Sequence, residues 1–209
     1  LCIGCGDCNE FCQFGALVYS ATNEGLVGSG MLALGGTGYV SRSEPDVACN
    51  DSGRCLVVWA AERDGGNYLD WRPFQPTGQP VTGSTSIAVP SGQYIGARVA
   101  AGDIFLVAWR QPTGIRAVKV DASGNISGSI FTLDSGMAYD PDVAWLGDRF
   151  QVVWERSGSD IYSAYIAGSS STSAEAVAAT SAIERGTEIA YDSLSDKALV
   201  TYRYTSGNT

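Results

Sequence analysis

The stretch PDVAWLGDRFQVVW, residues 141–154, sets two short β-rich runs on either side of a polar turn and ends on an aromatic residue. The same pattern occurs in PDVACNDSGRCLVVW (45–59), ARVAAGDIFLVAW (97–109) and TEIAYDSLSDKALVTY (187–202). The closing aromatics are Trp59, Trp109, Trp154 and Tyr202, at spacings of 50, 45 and 48 residues. Alternating apolar runs joined by a turn containing Asp or Gly are the signature of a β-hairpin.

A second pair of strands follows each hairpin: WRPFQPTGQPVTGSTSIAV from Trp71, IRAVKVDASGNISGSIFTL from Ile115 and IYSAYIAGSSSTSAEAVAA from Ile161. Residues 172–185 are Ala-rich and favour helix on propensity, but the repeat frame makes them strand. Four strands in about 45–50 residues is the size of one propeller blade. The expected fold is therefore all-β, a β-propeller with repeats near 46–96, 97–141 and 142–187. FGALVYSATNEGLVGSGMLAL, from Phe14, matches strands three and four, and the sequence ends at Thr209 after strand two. A composite fourth blade, 188–209 with 14–45, closes the ring and removes exposed sheet edges. Pairing of the half-blades between molecules is the rival geometry.

Composition narrows the function. Net charge is −9 and the 13 basic residues are scattered, which argues against nucleic acid as a partner. Histidine is absent, so Ser-His-Asp and Cys-His catalysis, His-ligated zinc and c-type haem attachment are all excluded. No apolar run reaches the ~18 residues that a membrane-spanning helix needs. The sequence begins at Leu1 rather than Met, which fits an export signal already removed.

Cys49 and Cys55 occupy positions that in the other units hold Ala101 with Phe105, Trp145 with Phe150 and Tyr191 with Ala198. The two positions face each other across the hairpin, so the cysteines are expected to form a disulfide. Disulfides persist in oxidising compartments, and the expected location is extracellular or at the cell surface. Cys2, Cys5, Cys8 and Cys12 stand at C-x2-C-x2-C-x3-C and resemble a bacterial ferredoxin half-motif, with the CIGC and FGA flanks. Gln13 departs from the family, which has Pro there, and no second copy of the motif exists to complete a site. The segment 1–13 is read as a disulfide-linked clasp with no cofactor and no metal. An iron–sulfur redox protein using these four cysteines is the alternative.

Three further groups are candidates. Asp46, Arg98, Asp142 and Glu188 each lie two residues before a strand-one alanine. They form an expected ring at the channel, either a ligand site or a hydrated charge network. Asp46, Asp142 and Glu188 are also candidate carboxylates for glycan hydrolysis. Tyr68, Trp71 and Phe74 cluster near Arg72 and form a candidate aromatic contact surface. Asn50-Asp-Ser and Asn125-Ile-Ser are glycosylation sequons on expected turns.

The units resemble the repeats of bacterial secreted β-propeller proteins, from Phe14 to Thr209. That resemblance implies a non-catalytic extracellular module for adhesion, binding or structure, with cell-surface glycan or protein, or further copies of itself, as partner. Self-assembly into an array or filament extends it. A carbohydrate-active enzyme using the channel carboxylates is the second alternative.

Overall fold

In the computed structural model, which describes residues 18–19, 26–28, 39–81, 83–90, 95–158 and 160–205, every regular element is a strand. Two strands come first, β1 (Val18–Tyr19) and β2 (Leu26–Gly28), paired antiparallel. The first full sheet holds β3 (Tyr39–Cys49), β4 (Cys55–Arg63), β5 (Gly66–Phe74) and β6 (Thr85–Val89) in sequence order. The second holds β7 (Arg98–Ala101), β8 (Phe105–Gln111), β9 (Gly114–Val120) and β10 (Phe131–Thr132). The third runs β11 (Ala138–Trp145), β12 (Phe150–Arg156) and β13 (Asp160–Ala167). Its outer strand is split into β14 (Ser170–Ser171) and β15 (Glu175–Ala178), both on β13. A fourth sheet has β16 (Ile183–Asp192) and β17 (Lys197–Thr205).

Each sheet is a meander, as hairpin-length connections between antiparallel strands require. The first strands β3, β7, β11 and β16 lie side by side in that order, so successive sheets stack face to face in a propeller-like arrangement. In the Ala-rich stretch 172–185, Glu175–Ala178 is strand and Ile183 begins the next one, with no helix formed. Thr85–Val89 and Phe131–Thr132 likewise fall at the outer edge of their sheets.

Alternation along strand two decides what each sheet buries. Leu56, Val58 and Ala60 pack with Val99, Phe105, Val107 and Trp109 between the first two sheets. Leu106 and Ala108 pack with Phe150, Val152 and Trp154 between the second and third. Trp59, Trp71, Trp109 and Trp154 are all fully buried. Each contributes roughly 4–6 kcal/mol of apolar burial before ordering costs.

Turn chemistry fits the repeat. Asp64 and Gly65, at φ 52° and 72°, form the two-residue turn between β4 and β5, where both central residues need positive φ. Because that hairpin closes immediately, β5 starts at Gly66 rather than at Trp71. This corrects the aromatic contact surface: Trp71 and Phe74 are 0% and 4% exposed, in the core. Trp71 donates its indole N–H to the Gly124 carbonyl of the next sheet at 2.9 Å. Tyr68 is half-buried beneath the Arg63 guanidinium, 3.8 Å from its ring centre.

The connection from the second sheet to the third is held by Asp134. Its carboxylate accepts from Trp154 Nε1 at 2.9 Å, Arg156 Nε at 2.7 Å and the Gly136 N–H at 2.8 Å. Gly114, at φ 115°, lets β8 turn into β9 against this connection, since a Cβ there would lie 2.0 Å from the Asp134 carbonyl oxygen.

A disulfide joins Cys49 to Cys55 at directly opposed positions of β3 and β4. Cys2, Cys5, Cys8 and Cys12 lie outside the described residues, and with them the clasp and iron–sulfur readings. Among the described residues, no helix is long and apolar enough to cross a membrane and no group of His, Cys, Asp and Glu is placed to hold a metal ion.

Candidate active site between the third and fourth sheets

The upper end of the fold is where first strands begin and second strands end. At that end a residue in the left-handed region lies in β3, β11 and β16 and two residues before β7: Glu44 (φ 55°), Asp140 (φ 44°), Gly186 (φ 66°) and Gly96 (φ 53°). Each lies two residues before a member of the expected ring. In β3, β11 and β16 the register shifts at this point, between Ser43 and Asp46, Tyr139 and Asp142, and Arg185 and Glu188. Such a bulge re-aims the side chains around it, and bulges recur beside active sites. Two of the four are not glycine, and Asp tolerates this conformation better than most residues.

Below the bulges, two of the four candidate residues join sheet to sheet. Asp46 Oδ2 accepts the Val99 N–H at 2.8 Å, and Asp142 Oδ2 accepts the Ile189 N–H at 2.8 Å. Arg98 donates to the carbonyl of its neighbour Ala97 at 2.9 Å, and Glu188 is exposed. Burial pushes the Asp142 carboxyl up. The N–H groups of Ile189 and Val143 and the charge of Arg98 oppose this, and Asp46 adds to it. Asp46, Arg98 and Asp142 therefore share one electrostatic environment, with both carboxylates committed to backbone N–H groups.

The upper ends differ from one seam to the next. Between the first two sheets, Glu44 Oε2 accepts the Gly96 N–H at 2.9 Å. Between the second and third, Arg110 stacks on Tyr139, 4.2 Å from the ring centre. Between the third and fourth a polar cleft of about 790 Å³ opens, lined by Tyr139, Asp140, Glu155, Arg185, Gly186 and Arg203, with Ser157 and Gly158 at its rim.

Glu155 lies at the centre of the cleft's chemistry. It follows Trp154, at the position held by Ala60, Arg110 and Arg203 in the other units. Its side chain projects from the face of β12 that meets the fourth sheet, and only 7% of the residue is exposed. Arg185 Nε lies 3.6 Å from its Oε1. Burial pushes the Glu155 carboxyl up and the neighbouring Asp140 charge adds to this, while Arg185, the Gly186 N–H and Arg203 pull the other way. A buried carboxyl held toward its neutral form beside an exposed carboxylate is a proton donor paired with a charge stabiliser.

The sequons take their expected places on turns. Asn50 Oδ1 accepts from Ser52 Oγ and the Arg54 N–H, and Asn125 Nδ2 donates to Asp121 Oδ2 at 3.2 Å.

No protein-family model matches the sequence, and no curated protein matches it. Among solved structures, a variant of the NanB sialidase from Streptococcus pneumoniae superposes with a TM-score of 0.54 at 13% identity. The match covers 76% of this chain and 27% of that one, so the chain spans about a quarter of the sialidase's length. The catalytic domain of a GH62 α-L-arabinofuranosidase from Coprinopsis cinerea follows at 13% identity and TM-score 0.44, covering 79% of this chain and 68% of that one. An α-L-arabinofuranosidase from Podospora anserina, solved with cellotriose, follows at 10% identity and TM-score 0.42, over 82% of this chain and 68% of that one. The sialidase match is a likeness of fold. It overturns the expectation of a non-catalytic module for adhesion, binding or structure, and the array or filament that extended it, because this arrangement of sheets is one found in a sialidase.

Proposed function

We propose that the protein is a carbohydrate-active enzyme that hydrolyses glycosidic bonds in the cleft between the third and fourth sheets. The observation that carries this reading is Glu155: a carboxyl 7% exposed, raised by burial, opening onto a polar cleft beside Asp140. Glu155 donates its proton to the glycosidic oxygen as the bond to the anomeric carbon breaks. The exposed Asp140 carboxylate stabilises the positive charge that develops on the sugar ring, and a water then adds at the anomeric carbon and returns a proton to Glu155. Arg185 and Arg203 supply hydrogen-bond donors along the cleft wall. Asp46 and Asp142, spent on backbone N–H groups, position the strands beneath it.

Two finer readings accompany this one. The fourth blade is completed by β1 and β2, which closes a four-bladed ring. Tyr202 supports it: the residue stands where Trp59, Trp109 and Trp154 are fully buried, yet is 39% exposed against a two-stranded sheet. Protection from hydrogen exchange at those amides of β17 that do not pair with β16 tests the closure. The Cys49–Cys55 disulfide supports an extracellular location.

The direct test is release of 4-methylumbelliferone from a panel of aryl glycosides. The expected result is turnover of at least one, lowered by about 10²–10⁴ in Glu155→Gln. Turnover of none, or equal rates for the variant, overturns the reading.

A further inference from the structure

The seam that opens into the upper cleft ends below in a second cleft, of about 430 Å³, built from different side chains. Its floor is Gln151, two turns of the β12 alternation below Glu155 and on the same face of the sheet. The equivalent residues of the first two sheets are Leu56 and Leu106, both fully buried in apolar packing. The third sheet alone among the full sheets puts an amide there. Gln151 is 6% exposed, and its side chain makes no hydrogen bond among the described residues. The amide opens on the cleft and can donate to and accept from what fills it, where a leucine would offer neither.

The charged side chains of the wall have partners of their own. Arg149 lies 3.5 Å from Asp148 and over the Tyr165 ring at 5.2 Å, and the Tyr191 hydroxyl donates to Asp196 at 2.9 Å. What remains for a ligand is an amide that both donates and accepts, between two half-buried tyrosine rings. A paired donor and acceptor beside aromatic rings suits the adjacent hydroxyls and apolar C–H face of a pyranose. The volume falls in the range of small-molecule sites.

We infer that this lower cleft is a second binding site, taking a neutral saccharide through the Gln151 amide, separately from the bond-breaking cleft above. The inference does not depend on hydrolysis in the upper cleft.

The experiment uses the full chain carrying Glu155→Gln, so that no probe is consumed. The probes are neutral tetrasaccharides: β-1,4-linked glucose, xylose, mannose and N-acetylglucosamine, and α-1,4-linked glucose. Titration followed through the Gln151 side-chain amide resonances is expected to show saturable shifts with at least one probe. Calorimetry of that probe is expected to weaken at least tenfold on adding Gln151→Leu, which restores the residue of the other sheets and so keeps the fold. Tyr191→Phe, which removes one hydroxyl, is expected to weaken it less. If no probe moves the Gln151 amide at 10 mM, or Gln151→Leu binds as tightly, the site is refuted. Aryl glycoside turnover by the wild-type chain, measured alongside, reports on the upper cleft alone.

Discussion

Asp142 accepts the backbone N–H of Ile189 at 2.8 Å across the boundary between the third and fourth sheets. Asp46 does the same for Val99 at 2.8 Å between the first and second. A hydrogen bond to an ionised carboxylate contributes about 1.5–3 kcal/mol. Asp142→Ala is therefore expected to destabilise the chain by about 1–3 kcal/mol in urea unfolding and to speed amide exchange at Ile189. Asp142→Asn keeps an acceptor oxygen and should lose less. Equal losses from the two variants would mean that packing, not the bond, is at work.

The pH dependence of turnover follows from Glu155. Burial raises its carboxyl and Asp140 adds to this, while Arg185 opposes both. Its protonated form is the proton donor, so the rate falls as pH rises through the raised value. Arg185→Met removes an opposing charge, raises the carboxyl further and should move this alkaline limb to higher pH. A profile of kcat/KM against pH checks it, and an unmoved limb would remove Arg185 as a positioning residue. The same group sets a stability trend. Because its folded value lies above the unfolded one, ionising Glu155 costs folding free energy once pH passes about 4.3, the usual glutamate value. Glu155→Gln should gain melting temperature over wild type as pH rises from the usual glutamate value through the raised one, and no further beyond it.

The repeat made the sheets legible, because Trp59, Trp109 and Trp154 mark equivalent strands and the hairpins before them alternate cleanly. The cleft was also written there, in a column that composition does not highlight. Ala60, Arg110, Glu155 and Arg203 share a position, as do Leu56, Leu106, Gln151 and Leu199. Gln151 is the polar departure in a column of leucines and Glu155 the acid in a column otherwise of alanine and arginine, and reading the columns for such departures finds them. Glu44, Gly96, Asp140 and Gly186 share a backbone conformation but no hydropathy, so spacing alone does not announce them. The ring residues were placed correctly on the first strands by spacing, yet residue type could not tell that Asp46 and Asp142 spend their oxygens on the neighbouring sheet. Tyr68, Trp71 and Phe74 misled because the two-residue turn at Asp64 and Gly65 starts β5 earlier than the aromatic run suggests.

The disulfide encloses a short loop, with a sequence separation of six between Cys49 and Cys55. Loop-closure entropy for so few residues gives roughly 2 kcal/mol, less than a bridge across a whole domain would. Cys49→Ala with Cys55→Ala is expected to lower stability by about that amount and leave the fold intact, because Val58, Trp59 and their partners form the sheet without it. Denaturant melts of the double variant, and of the wild type under reducing conditions, should agree. A larger loss would mean that the bridge holds more than its own hairpin.

Asp134 accepts three hydrogen bonds, one of them from the Arg156 guanidinium, and its loss separates two effects. Burial alone would raise it, but Arg156, the Gly136 N–H and Trp154 outweigh burial and hold it below the usual carboxylate value. A lowered folded value means that its stabilisation is complete above the ordinary aspartate pKa and disappears as pH falls through the lowered one. Asp134→Asn keeps an acceptor for the Trp154 indole but gives up the charge that pairs with Arg156. The Arg156 side chain is 34% exposed, so solvent screens part of that pair, and the charge loss alone should cost about 1 kcal/mol. Asp134→Ala also leaves the buried Trp154 N–H without a partner, which adds roughly 1–3 kcal/mol. The expected order at pH 7 is wild type, then Asn, then Ala, with the gap between wild type and Asn closing as the solution is acidified. A gap between Asn and wild type that stays constant with pH would place the effect in packing around Gly114, where the Asp134 carbonyl leaves no room for a Cβ.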